Sequence, residues 1–135
     1  LKRVYEILGN KIKNKNISFL GVTFKANTDD MRDSSSLTMI PELLKKGALI
    51  KYFDPTGFKD DFQKYKNVQY AKSVDKCLDK ADLIIIHTEW NDFKSLNFKK
   101  LLINKKTIIY DMRNLYSPDK MSKLNIKYFS VGRSN

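Results

Sequence analysis

The chain has 135 residues, 41% of them hydrophobic, which is enough for one domain with a buried core. Its single cysteine, Cys77, excludes an internal disulfide and fits a reducing, cytoplasmic setting; no apolar run reaches membrane-spanning length, and the N-terminus is not typical of a signal peptide. The net charge of +11 comes mostly from lysines expected at the surface, and no nucleic-acid-binding motif accompanies them, although a polyanionic or acidic partner stays open as an alternative.

Hydrophobic periodicity predicts helices that alternate with short strands along the chain. An N-terminal helix is expected over residues 1–8, and Pro41 is expected to kink the second helix or delay its start. Segments 90–93 and 98–102 are interpreted as helical or irregular. The predicted strands are 17–22, 49–53, 68–70, 83–86, 107–110 and 126–131, and the later predicted helices are 37–47, 60–65, 73–80 and 118–124.

Strands separated by helices require crossover connections, and right-handed crossovers build a parallel sheet that is covered on both faces. The predicted fold is therefore α/β, with a three-layer, doubly wound, mostly parallel, Rossmann-like sheet. The turn after the first strand holds only Gly21, so it lacks the glycine fingerprint with which a dinucleotide-binding domain approaches a pyrophosphate.

The charged loop between the first strand and the second helix is the first candidate site. Side chains would have to replace the missing glycines, and Lys25 and Arg32 are the cations available for a phosphate. The aspartates of the loop can orient these cations, and the serines at 34–36 can cap the helix that follows. A solvated loop with an internal salt bridge is the alternative that the spacing leaves open.

Two further polar groups follow later strands. Arg113 comes after the fifth strand and is expected at the same sheet edge as Lys25, either closing on a ligand or pairing with Asp111. His87 and Glu89 follow the fourth strand and could form an acid/base pair. Because no nucleophile or metal ligand accompanies them, a capping or packing role is favoured.

Three other residues are interpreted as structural. Cys77 lies beside Leu78 on the inner face of a predicted helix, which indicates an inert buried thiol. Asp54 ends the second strand and is expected to form an Asp-Pro turn rather than to bind a ribose. Trp90 is expected to be a packing anchor.

Five motifs in one order resemble the C-terminal domain of nucleotide-sugar 6-dehydrogenases, the UDP-glucose/GDP-mannose dehydrogenase family. The resemblance runs from about residue 5 to Arg133 and, within the family, is greatest to enzymes that oxidise UDP-glucose. The motifs are GVTFKANTDDMRDS at 21–34, YFDP at 52–55, AD at 81–82, TEWNDF at 88–93 and DMRN at 111–114.

The resemblance implies a division of the chain and a set of binding residues. Residues 1–15 would be the end of a connecting helix with its lead-in, and residues 16–135 the UDP-sugar-binding C-terminal domain, with the NAD-binding catalytic domain absent. Phe24, Lys25 and Arg113 would contact the nucleotide-sugar, and Arg32 would reach the NAD cofactor. No catalytic residue and no metal ligand is carried over. Met112 stands where the family often has a small residue.

The implied reaction is the oxidation of UDP-glucose to UDP-glucuronate by two hydride transfers to NAD, through a thiohemiacetal and a thioester on a cysteine of the other domain. The implied partners are the UDP-sugar, the enzyme's own N-terminal domain and further copies in a homodimer or larger assembly, with no nucleic acid and no membrane. The product would feed polysaccharide biosynthesis. The same domain of a UDP-N-acetylhexosamine or GDP-mannose dehydrogenase is one alternative, and a non-catalytic module for acidic ligands or nucleic acid is another.

Overall fold

The computed structural model of the protein describes residues 1–102 and 106–132. Arg133, where the family resemblance ends, lies outside the described residues. No helix in the described part of the chain is both long and apolar enough to cross a membrane.

Within the described residues, six strands and five α-helices alternate along the chain, as the hydrophobic pattern predicts. The strands are β1 (Asn16–Leu20), β2 (Leu49–Phe53), β3 (Val68–Tyr70), β4 (Leu83–Ile86), β5 (Ile108–Asp111) and β6 (Lys127–Ser130). The α-helices are α1 (Lys2–Ile7), α2 (Ser36–Lys45), α3 (Val74–Leu78), α4 (Phe98–Leu101) and α5 (Pro118–Lys123), and short 3₁₀ turns cover Asp60–Phe62 and Asn91–Phe93.

Most predicted boundaries shift by one or two residues, and the predicted helix 60–65 is only the 3₁₀ turn Asp60–Phe62. Two of the differences have a clear physical cause. The first strand ends at Leu20 rather than at residue 22, because Gly21 takes a φ of +79° that extended chain does not adopt. Helix α2 begins at Ser36, so the expectation that Pro41 delays the start is wrong. The hydroxyls of Ser34 and Ser36 both donate to the carbonyl of Val22, which holds the first turn of the helix ahead of the proline.

The sheet is parallel throughout, with strand order β3-β2-β1-β4-β5-β6. The chain moves outward from β1 to β3, returns to the centre at β4 and then moves outward on the other side. This reversal confirms the predicted doubly wound, Rossmann-like α/β fold, and it opens a crevice between the loops that leave β1 and β4.

Two hydrophobic clusters cover the two faces of the sheet. Strand β4 shows the division, because Leu83 and Ile85 belong to one cluster while Ile84 and Ile86 belong to the other. Helices α1 and α2 contribute to the first cluster, and α3, α4 and α5 contribute to the second. Both clusters consist of side chains of this chain, so the domain has its own core.

Replacing Gly21 by alanine is expected to destabilise the fold more than the same change at Gly57. A Cβ at position 21 would lie 2.6 Å from the Cβ of Thr88, whereas a Cβ at Gly57, whose φ is +92°, meets nothing within 4 Å. Gly57→Ala should cost only the backbone strain, roughly 1 kcal/mol, and Gly21→Ala roughly 2–4 kcal/mol because overpacking is added. Urea unfolding of the two variants measures the difference, and equal losses would contradict the assigned contact.

Candidate functional site

The candidate site lies at the carboxyl ends of the three central strands. The β1–α2 loop (residues 21–35) leaves β1, and residues 87–90 leave β4 beside it. Residues 112–117 follow β5, the next strand in the sheet. Ligands of open parallel sheets bind in the crevice where the strand order reverses, which is the position of the first two loops.

The β1–α2 loop is fixed at its base by buried hydrogen bonds. The Val22 amide donates to Asp54 at 2.8 Å, and the Val22 carbonyl accepts from the hydroxyls of Ser34 and Ser36 at 2.6 Å each. Inside the loop the Phe24 amide donates to the Asp30 carbonyl at 2.9 Å. The serines were expected to cap the helix, but the side chain of the N-cap residue, Ser35, makes no capping hydrogen bond. The contact most similar to a cap is the hydrogen bond of 3.3 Å from the Ser36 amide to the Ser34 hydroxyl.

Arg113 joins all three loops of the site. Its Nε donates to the His87 carbonyl at 2.8 Å, and its Nη2 donates to the Phe24 carbonyl at 3.3 Å. The carboxylate of Glu89 lies 3.7 Å from Nε. The alternative pairing with Asp111 is not formed by the guanidinium, since Asp111 accepts instead from the Arg113 backbone amide at 3.0 Å.

Asp111 is occupied because it organises the loop that carries Arg113. Its second oxygen accepts from the Tyr116 amide at 3.0 Å and from the Tyr128 hydroxyl at 2.7 Å. The carboxylate is fully buried, so these bonds compensate its removal from water. The end of β5 is therefore rigid, and the guanidinium of Arg113 projects from a fixed backbone.

Phe24 and Lys25 present their side chains to solvent beside Arg113. The Phe24 ring is one of the few large apolar groups left exposed, at 45%. The Lys25 carbonyl accepts from Thr23 at 3.0 Å, while within residues 1–102 and 106–132 its ammonium has no hydrogen-bond or ion-pair partner. Phe24 and Lys25 are therefore exposed on the loop whose Phe24 carbonyl binds Arg113.

Arg32 lies on the same loop and is paired with Asp30. Its guanidinium binds Asp30 through Nε at 3.1 Å and Nη2 at 3.0 Å, and its side chain is 88% exposed. The hydrogen bond from Arg32, together with Lys25 nearby, holds the pKa of Asp30 below its ordinary value. The internal salt bridge considered from the sequence is therefore present, and it orients Arg32 without covering it.

His87 and Thr88 form a buried polar network that sequence reasoning did not find. The Thr88 hydroxyl donates to the Thr23 carbonyl at 3.1 Å, and His87 bonds Thr88 through Nδ1 at 3.0 Å and Ser35 through Nε2 at 2.8 Å. Burial, followed by the charge of Arg113, lowers the pKa of His87 to about 4. The acid/base pair with Glu89 is not formed, because Glu89 turns to Arg113.

The residues interpreted as structural are structural. Cys77 is fully buried, and burial raises the pKa of its thiol to about 12, so the thiolate is scarce near neutral pH. Asp54 accepts from the amide and hydroxyl of Thr56 in the expected turn. Lys59, which the sequence did not single out, is buried there and donates to Thr56. Trp90 is 7% exposed within the second cluster.

The described residues were also compared with the requirements of a metal site and of a dinucleotide site. The described residues contain no group of three or more His, Cys, Asp or Glu side chains that could hold a metal ion. A dinucleotide cradle also does not fit, since the space next to Gly21 is filled by Thr88.

Comparisons with known proteins agree with this geometry. Residues 18–118 match the model of the UDP-glucose/GDP-mannose dehydrogenase family, UDP binding domain. A UDP-glucose 6-dehydrogenase of Rickettsia bellii is 38% identical over an alignment of 133 residues. The alignment covers 96% of this chain but only 31% of that relative. The chain therefore spans about a third of the length of the curated relatives it matches.

Solved structures of related enzymes contain a domain with the same fold. The NDP-N-acetyl-D-galactosaminuronic acid dehydrogenase of Methanosarcina mazei Go1 superposes with a TM-score of 0.80 at 25% identity, covering 98% of this chain and 28% of that one. The UDP-glucose dehydrogenase of Pyrobaculum islandicum gives a TM-score of 0.78, also at 25% identity, with the same coverage.

The depressed pKa of His87 predicts a loss of stability on mild acidification. The unfolded chain binds a proton near pH 6.5 and the folded chain only near pH 4, so the free energy of unfolding falls as the pH drops through this window. The full loss is about 3 kcal/mol. Urea unfolding at pH 7.5 and pH 4.5 measures it, and His87→Gln should reduce the difference; an unchanged difference in that variant would assign it to other groups.

Proposed function

The chain belongs to the UDP-glucose/GDP-mannose dehydrogenase family, and from this membership we propose that it is the UDP-sugar-binding domain of an NAD-dependent UDP-glucose 6-dehydrogenase. The complete enzyme would oxidise UDP-glucose to UDP-glucuronate. The catalytic cysteine and the main NAD site would lie in a separate N-terminal domain. Residues 1–15 would be the end of the helix that connects the two domains, and residues 16–135 would be the UDP-sugar-binding domain.

The observation that carries the proposal is the placement of Arg113 between two backbone carbonyls. The bonds to His87 and Phe24 use two of its five N–H donors, so three remain for a ligand. A diphosphate is the ligand that suits a planar cation backed by a second, unpaired cation, Lys25. The exposed Phe24 ring beside them provides an apolar contact for the nucleotide-sugar.

Arg32 is proposed as the contact with NAD across the cleft between the two domains. Asp30 holds the guanidinium by two atoms while leaving it almost fully exposed, and such an arm can reach a phosphate held by another domain. NAD, when bound, would supply the hydride acceptor. The residues of this chain would bind and orient the substrate and, once the domains close, exclude water from it.

The wider setting is part of the same proposal. A full-length homodimer or larger assembly, a cytoplasmic location and a role in polysaccharide biosynthesis are expected of such an enzyme. The buried, unpaired thiol of Cys77 is in keeping with a reducing compartment.

The related enzymes that are the alternatives differ in the sugar and the base of their substrates. One structural relative is named for an N-acetylated galactosaminuronic acid rather than for glucose, so the same domain of a UDP-N-acetylhexosamine or GDP-mannose dehydrogenase is the nearest alternative. A non-catalytic module for acidic ligands or nucleic acid is favoured only by the net charge of +11. Calorimetric titration with UDP, UDP-glucose, GDP and a short DNA duplex separates these functions.

UDP is expected to bind this chain weakly, because the other half of the cleft is missing, and Lys25→Ala or Arg113→Ala should each remove most of that binding. Each change deletes a charge-assisted hydrogen bond worth roughly 1.5–3 kcal/mol, which corresponds to about a tenfold loss of affinity or more. Titration calorimetry measures the loss. Because Arg113 also holds two carbonyls, its variant is compared at a temperature where it is shown to be folded.

Lys66→Ala is the matched control for Lys25→Ala, since Lys66 is an equally exposed lysine beside β3, away from the crevice. It removes the same net charge, so any general electrostatic effect on binding appears in both variants. Undiminished UDP binding by the Lys25 and Arg113 variants would refute the site, and equal losses in the Lys25 and Lys66 variants would favour a non-specific polyanion surface.

The chain alone is expected not to form NADH from UDP-glucose and NAD. Cys77 is its only cysteine, and the burial that raises the pKa of its thiol makes it unsuitable as a nucleophile. The measurement is the absorbance of NADH with the isolated chain and, as a positive control, with a complete UDP-glucose 6-dehydrogenase. Turnover by the isolated chain would contradict the proposed division of labour.

A further inference from the structure

We propose that His87 and Thr88 are positioning residues for the nucleotide-sugar site, because together they join the two ends of the loop that carries Phe24, Lys25 and Arg32. The proposal rests on the function proposed above. The two side chains lie beneath the loop and would not contact the ligand. Both residues are buried, with His87 at 1% and Thr88 at 0% exposure.

The contacts of the pair reach opposite ends of the β1–α2 loop. Thr88 donates to the carbonyl of Thr23, three residues after the end of β1, at 3.1 Å. His87 binds the hydroxyl of Ser35, directly before helix α2, at 2.8 Å. A hydrogen bond of 3.0 Å between the two side chains completes a bridge under the loop.

The donors and acceptors in this bridge have one consistent direction. Thr88 has a single hydroxyl proton and gives it to the Thr23 carbonyl, so its oxygen accepts from Nδ1–H of His87. In the neutral imidazole Nε2 then carries the lone pair and accepts the hydroxyl proton of Ser35. This assignment satisfies every polar atom of the two side chains, and the Gly21 backbone provides a further hydrogen-bond partner for His87.

The bridge also determines where Arg113 can lie. The carbonyl of His87 and the carbonyl of Phe24, the residue after Thr23, are the two acceptors of its guanidinium. Loss of the Thr88 hydroxyl frees the Thr23–Phe24 segment, and the loop then has to be ordered when the ligand binds. Ordering at that moment lowers affinity without removing any contact to the ligand.

The test compares Thr88→Val with Thr107→Val. Thr107 is an equally buried threonine whose hydroxyl donates to the Ala81 carbonyl at 2.8 Å, at the opposite, amino end of the sheet. Both changes keep the side-chain shape and remove a buried hydroxyl, which makes two hydrogen bonds at Thr88 and one at Thr107, so both should lower stability. Only Thr88→Val should weaken UDP binding, by about tenfold, and Thr88→Ser should recover the affinity.

A double substitution distinguishes positioning from general damage. With Lys25→Ala already present, Thr88→Val should reduce UDP affinity much less than it does in the parent chain, because one contact that depends on the loop is gone. Equal losses in both backgrounds, or equal losses for Thr88→Val and Thr107→Val, would overturn the proposal.

Two measurements do not depend on UDP. The ¹⁵N shifts of His87 should show a protonated Nδ1 in the parent chain, and amide exchange over residues 23–35 should accelerate in Thr88→Val but not in Thr107→Val. A protonated Nε2, or unchanged exchange, would overturn the positioning role. If the parent chain fails to bind UDP while these two results hold, the proposed function fails and the bridge stands as the device that orders this loop.

Discussion

The Val22 peptide is the point on which the candidate site depends. Its amide donates to Asp54 and its carbonyl accepts two serine hydroxyls, so side chains from the β2 turn and from the start of α2 meet at the residue that follows the glycine leaving β1. A buried backbone group outside the sheet has to find such partners or pay for desolvation. The loop therefore leaves the sheet in a defined direction, with Phe24 and Lys25 placed two and three residues later.

The same arrangement would allow the proposed anion to bind in the crevice without a glycine-rich turn. In dinucleotide-binding domains backbone amides approach the pyrophosphate, and glycines make room for it. Here Thr88 occupies that room beside Gly21, and the positive charge is carried by side chains that stand on a rigid base. Arg113 is supported by carbonyls of two neighbouring loops, which fixes its plane before a ligand arrives. The proposed site therefore lacks the glycine fingerprint and would use long cationic side chains in its place.

Strand positions and the fold class could be predicted from the sequence because a buried parallel sheet leaves continuous apolar runs, such as 83–86, between turn residues. The motifs also placed Lys25, Arg32 and Arg113 on loops at one edge. The internal salt bridge that Arg32 forms with Asp30 was one of the alternatives open from the sequence, but the partners of the other groups could not be predicted. Nothing local indicates that Ser35 bonds His87, that Arg113 prefers carbonyls to Asp111, or that Lys59 is buried, since each depends on segments distant in the sequence. The start of α2 ahead of Pro41 could not be predicted for the same reason, because the Val22 carbonyl that holds the helix start belongs to another element.

The unpaired, exposed Lys25 within a chain of net charge +11 has a kinetic consequence. A positive surface speeds the diffusional capture of a dianionic ligand, and this attraction is screened over about 8–10 Å at ordinary ionic strength. In the proposed site Arg113, which donates to two carbonyls, would bind the ligand only after the first contact is made. Added salt should therefore slow association through Lys25 and its neighbouring lysines, while the lifetime of the complex, set by the short bonds around Arg113, changes far less.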